Sequence, residues 1–192
     1  GMLGQSLINK LGGIGVELVT VDRHDVDLRR QADVEAWLSE QRVDGIVLAA
    51  ATVGGIFANE HYPADFIYDN ISISTNVIHA AARLDVKKLV MIGSSCMYPR
   101  LAKQPVAEDS LLTGPLEPTN QWFAIAKIAA LKMCQAYRRQ QGRNFITVVP
   151  TNLYGPGDNF DPKSSHVVPA MLRKVETARK DGGPVEIWGT GT

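Results

Sequence analysis

Four apolar runs divide the chain, and each stops at small or polar residues. Val16-Glu17-Leu18-Val19-Thr20-Val21 alternates apolar and polar positions and ends at Asp22-Arg23, the pattern of a strand running into a turn. Residues 43–51 carry Ile46-Val47-Leu48 and close on Ala49, Ala50 and Ala51. Lys88-Leu89-Val90-Met91-Ile92 halts at Gly93-Ser94-Ser95-Cys96, and Phe145-Ile146-Thr147-Val148-Val149 halts at Pro150. Unbroken apolar runs of this kind are what strands buried on both faces of a parallel sheet carry. Between the runs the period changes to that of a helix. Leu7, Ile8 and Leu11 follow Gly4, and a helix is predicted over residues 31–41. A longer one over 64–84 is apolar over more than one stripe, with Phe66, Ile67, Ile71, Ile73, Val77, Ile78, Ala81 and Ala82. Thr119 or Asn120 can cap the next helix, which runs to about residue 141 and stops at Gly142. A last helix covers 167–178, and Val185-Glu186-Ile187-Trp188-Gly189 comes after it. Residues 100–120, with Pro105, Pro115 and Pro118, are too long for a connector and predict an ordered loop over a site.

Strand alternating with helix predicts the α/β class with a doubly wound parallel sheet of the Rossmann type. Composition refines this little. Lys and Arg total 20, as do Asp and Glu, so no charge excess points to nucleic acid or to an anionic membrane as partner. No apolar run reaches the length of a membrane span and no signal-peptide layout opens the chain, so the expectation is a cytoplasmic protein. The plainest reading of Cys96 and Cys134 is two reduced thiols, preferred for Cys134, and no metal site is expected.

The candidate chemistry lies where the strands end, because parallel sheets bind ligands beyond their carboxyl edge. Ser94, Ser95 and Cys96 stand at such an edge. Gly1 and Gly4, just before a helical pattern, read as the last two glycines of a Gly-x-x-Gly-x-x-Gly turn, whose backbone N–H groups meet a dinucleotide pyrophosphate. The strand and first glycine of that unit would precede Gly1. At the end of the next strand a carboxylate accepts from a ribose 2′-hydroxyl, whereas an arginine neutralises a 2′-phosphate. Asp22 therefore pulls toward NAD and Arg23 toward NADP. Small residues at 49–51 let a cofactor approach the backbone. Downstream, the four-residue spacing of Phe123 and Lys127 puts both on one helix face. This arrangement resembles the Ser…Tyr-x-x-x-Lys site of short-chain dehydrogenase/reductases, with phenylalanine at the tyrosine position.

Longer motifs sharpen the resemblance. Ala51-Thr52-Val53-Gly54-Gly55-Ile56, Tyr62-Pro63-Ala64-Asp65-Phe66-Ile67-Tyr68, Gly93-Ser94-Ser95-Cys96-Met97-Tyr98-Pro99, Leu116-Glu117-Pro118-Thr119-Asn120, Pro150-Thr151-Asn152-Leu153-Tyr154-Gly155-Pro156 and Ser165-His166-Val167-Val168-Pro169 together resemble the GDP-L-fucose synthase family. These are dual epimerase–reductases among the extended short-chain dehydrogenase/reductases. The resemblance implies conversion of GDP-4-keto-6-deoxy-D-mannose to GDP-L-fucose with NADPH, by a homodimer. It implies that Cys96 and His166 are base and acid in the epimerisations at C3 and C5, and that Ser94, Phe123 and Lys127 occupy the reductase triad. It carries cofactor binding to Gly1, Gly4, Arg23, Asp27, Leu28, Ala50, Ala51, Gly93, Ser94, Lys127, Pro150, Asn152, Leu153 and His166. Substrate binding falls on Ser94, Asn152, Lys174 and Trp188.

The chain departs from the family pattern in two ways. Phe123 has no hydroxyl to give the C4 alkoxide its proton, so reduction is expected to be impaired while epimerisation survives. The chain is also expected to be truncated at both ends relative to that pattern. Residues 1–155 would form a dinucleotide-binding domain without its first strand, and 156–192 would begin a small substrate lobe. Two other readings compete: another sugar-nucleotide epimerase or dehydratase, and a non-catalytic nucleotide-sugar binder, which Phe123 makes plausible.

Overall fold

A computed structural model describes residues 1–162 and 164–187. In chain order the elements are α1 (Met2–Leu11), α2 (Gln31–Gln41), β1 (Gly45–Leu48), α3 (Ile56–His61), α4 (Pro63–Arg83), β2 (Lys88–Ile92), α5 (Gln121–Gln141), β3 (Asn144–Val148) and α6 (Val167–Asp181). Short 3₁₀ turns cover Gly12–Ile14, Ser95–Met97 and Glu108–Ser110.

The three strands form one parallel sheet in the order β1-β2-β3. Each crossover carries a 21-residue helix, α4 and then α5. The register sets Leu48 beside Met91 and Met91 beside Thr147, so the strands end at one level. Leu89, Met91, Leu48 and Phe145 point to one face and are buried with Val77, Ile78, Ala80, Ala81, Ala130 and Cys134 from α4 and α5. Small residues along α4 let α5 pack close against it. Pro63 starts α4, where its missing N–H costs no helical bond. Gly142 ends α5 in a left-handed conformation at φ 68°.

Several expectations are corrected. Residues 16–21 form no ladder, and Val16 is 47 % exposed, because no strand among the described residues pairs with this segment. Burial on both faces also fails: Val47 and Val148, on the face opposite Leu89 and Met91, are 41 % and 46 % exposed. Asn120 occupies the N-cap position of α5 but makes no side-chain capping bond. Helix α3 was not expected, since the glycines before it read as loop. Trp188 lies outside the described residues.

Candidate active site

The loops leaving β1, β2 and β3, the start of α1 and the start of α6 all border one broad, open depression that also runs over the uncovered face of the sheet. Its heart is the loop after β2. Gly93 passes close to neighbouring chain segments: a Cβ there would stand 3.1 Å from Met97 Sδ and 3.2 Å from Thr147 Cγ2. Its N–H donates to the Val148 carbonyl at 2.8 Å, which ties this loop to the end of β3. Ser94 then caps the 3₁₀ turn, its Oγ accepting from the Cys96 N–H at 3.4 Å. The turn thereby aims Ser94 and Cys96 from the edge of the sheet.

From α5, Lys127 reaches the same place. It is 4 % exposed, and its Nζ donates to the Ile92 carbonyl at 2.9 Å. One turn back, Phe123 lies under that ammonium, with Nζ 5.5 Å from the ring centroid. The ring also packs edge-on to Phe66 of α4 at 6.4 Å. The helical spacing therefore does bring Phe123 and Lys127 together. Burial pushes the Lys127 ammonium down to about 8, opposed by the nearby Cys96. Burial pushes the Cys96 thiol up, while a hydrogen bond with Ser94 and the Lys127 charge pull it back. Each group thus moderates the other. Cys134, by contrast, is a fully buried core thiol.

His166 stands exposed at the N-cap of α6. It borders the same cleft as Cys96, and among the described contacts nothing joins the two side chains. Asn152 and Leu153, exposed after β3, and half-buried Pro150 border the cleft as well. Lys174 on α6 does too, its Nζ donating to the Glu186 carbonyl at 2.9 Å.

At the other end, Gly1 caps α1 and no acidic residue occupies its first turn. The first backbone N–H groups of α1 lack intrahelical partners, as at any helix start, and suit an anion. Asp22 spends Oδ1 on its own turn, accepting from the His24 N–H at 2.7 Å and the Asp25 N–H at 3.3 Å. Arg23 is exposed and lies close enough to Asp27 to help hold its carboxyl down to about 2, behind the larger effect of Arg29.

Sequence reasoning missed what fixes these loops. Helix α4 carries Asn70, 1 % exposed, whose side chain accepts from the Thr52 N–H at 3.0 Å and donates to the Thr52 and Phe66 carbonyls at 2.9 and 2.7 Å. The neighbouring Asp69 accepts from the Thr52 hydroxyl at 2.9 Å and from Arg29 at 3.1 Å. Arg29 in turn grips both oxygens of Asp27, and Asn76 donates to the Leu28 carbonyl at 3.0 Å. One helix thus pins the 27–28 loop and the loop after β1. No local spacing marks these partners; the adjacent Asp69 and Asn70 between the apolar Phe66 and Ile73 of the helix were the available signal.

A sequence profile described as the NAD dependent epimerase/dehydratase family matches residues 1–192. Among curated proteins, the chain is 54% identical over 193 residues to the GDP-L-fucose synthase of Sinorhizobium fredii, covering 100% of this chain and 62% of that protein. It is 53% identical to the GDP-L-fucose synthase of Escherichia coli, covering 100% of the chain and 60% of that protein. The chain therefore spans about three fifths of the length of these relatives. A solved GDP-D-glycero-L-gluco-heptose synthase from Campylobacter jejuni, determined in the presence of NADPH, superposes with a TM-score of 0.90 at 37% identity, over 100% of this chain and 65% of that one.

Proposed function

The chain belongs to the NAD dependent epimerase/dehydratase family, and from that premise we propose that the protein acts on GDP-4-keto-6-deoxy-D-mannose as an epimerase–reductase whose reduction step is crippled. The observation that carries the reading is that Lys127 reaches the end of the strand that launches Ser94 and Cys96, with a phenylalanine ring under its ammonium.

Protons on C3 and C5 are acidic because the electrons they leave behind spread onto the C4 ketone oxygen. Cys96 and His166 take and return these protons from opposite sides, which inverts each carbon. Ser94 donates a hydrogen bond to the ketone oxygen, and the Lys127 charge stabilises the enolate and favours the Cys96 thiolate. NADPH, when bound, supplies hydride to C4. Its pyrophosphate is assigned to the open start of α1, its 2′-phosphate to Arg23 and its nicotinamide end to Pro150, Asn152 and Leu153. Asp22 committing an oxygen to its own turn supports NADP over NAD. Gly93, Ala50, Ala51, Asp27 and Leu28 complete the cofactor wall, and Asn152 and Lys174 take the GDP-sugar. At Phe123 the alkoxide left by hydride finds no hydroxyl. Exposed Tyr68, Trp122 and Ile125 on α4 and α5 support pairing with a second copy.

The test is incubation of the intact protein with the keto sugar and NADPH in heavy water. Deuterium should enter at C3 and C5 while NADPH absorbance stays near its blank rate. No deuterium at either carbon, with the sugar bound, would favour a non-catalytic binder and overturn this reading.

A further inference from the structure

Two loops from distant parts of the chain meet backbone to backbone beside the cleft. One is Gly54-Gly55, after β1; the other is Ser164-Ser165, which leads directly into His166. The Gly55 N–H donates to the Ser164 carbonyl at 3.0 Å. The approach leaves no room for a side chain, since a Cβ on Gly55 would stand 2.5 Å from the Ser165 carbonyl oxygen. Atoms of that kind normally settle well beyond 3 Å, so one backbone would have to move.

Both sides of this seam are braced. Asn59, 5 % exposed, donates its side-chain N–H groups to the Gly54 and Gly55 carbonyls at 2.8 and 3.1 Å. Across the seam, the Ser164 N–H donates to Asp161 Oδ1 at 3.1 Å and Asn159 Nδ2 donates to Ser164 Oγ at 2.9 Å. Arg173 of α6 donates to the Phe160 carbonyl at 2.7 Å, which anchors the same turn to the helix. His166 makes no side-chain capping bond, so its position is set by the backbone that precedes it.

We propose that Gly55 is a positioning residue for His166: the missing side chain at 55 lets the Ser164–Ser165 turn seat against the loop after β1, and that seating sets His166 relative to Ser94 and Cys96. The inference rests on His166 being the proton-transfer partner of Cys96. Its leverage comes from geometry, because misplacing a reacting group by about 1 Å costs on the order of 10²-fold in rate.

The experiment measures solvent-deuterium exchange into the keto sugar by the intact enzyme, in a cycle of Gly55→Ala, His166→Gln and both together. Gly55→Ala should lower exchange by about 10²-fold, with NADPH affinity unchanged. Placed on His166→Gln it should take away almost nothing from the residual exchange, because a group already removed cannot be misplaced. Gly54→Ala serves as the control. Its Cβ would press on Ala58 and Phe66 at 2.9 and 3.3 Å but lie 3.8 Å from the Ser164 carbonyl, an ordinary contact. It should therefore cost stability while leaving exchange largely intact. Should Gly55→Ala not fold, Asn59→Ala, which releases both braced carbonyls, replaces it in the same cycle. A Gly55→Ala loss that persists in full on His166→Gln, or one matched by Gly54→Ala, overturns the inference. Absence of exchange in the unmodified enzyme overturns the functional reading, and the inference with it.

Discussion

At the scale of single residues, the proposed function leaves the site one oxygen short of a reductase triad. Lys127 lies over the Phe123 ring, which holds the ammonium by its face. Phe123→Tyr is expected to raise NADPH consumption with the keto sugar by roughly 10²–10⁴-fold, the usual contribution of a placed general acid. An unchanged rate in stopped-flow absorbance would place the defect elsewhere. Lys127 also carries a pH signature. Its pKa is depressed on folding from the ordinary 10.5 to about 8 by burial. Between these values the unfolded chain holds a proton that the folded one has lost, so stability rises with pH across the window and is flat below about pH 8. The gain is on the order of 3 kcal/mol at most. Urea titrations from pH 7 to 10.5 should show this rise for the natural chain relative to Lys127→Met; parallel curves would contradict it.

At the scale of elements, legibility tracked locality. The runs at 45–48, 88–92 and 144–148 and the helices at 31–41, 63–83 and 121–141 were readable because each is a continuous pattern with its own stops. Residues 16–21 carry the same kind of pattern and yet form no ladder, since a strand needs a neighbour that no local rule supplies. Ser94, Cys96, Phe123 and Lys127 were legible as a group only through the family resemblance, and the fold brings Lys127 to the end of the strand that launches Ser94. The hold of α4 on the 27–28 loop and the loop after β1 was not, because no motif marks Asn70 and Thr52 as partners. That hold is testable. Asn70→Leu leaves the Thr52 N–H and carbonyl without their partner, so it should cost about 2–4 kcal/mol in urea unfolding. Cofactor affinity should fall with it. A loss below about 0.5 kcal/mol, the size of an indifferent surface change, would show that the asparagine holds nothing.

At the scale of the whole molecule, the sheet is finished on one face only. Leu89, Met91 and Phe145 are sealed beneath α4 and α5, while Val47 and Val148 on the opposite face remain open. Apolar surface of this extent on a parallel sheet normally lies under other chain. The open face is therefore expected to bind the dye ANS. A dim ANS spectrum for the isolated chain would contradict the open face. The common level at which the three strands stop has an evolutionary side. Exchanging the loops that leave Leu48, Ile92 or Val148 would alter what the strand ends present without disturbing a rung of the ladder, so a site can diverge while the scaffold is inherited unchanged.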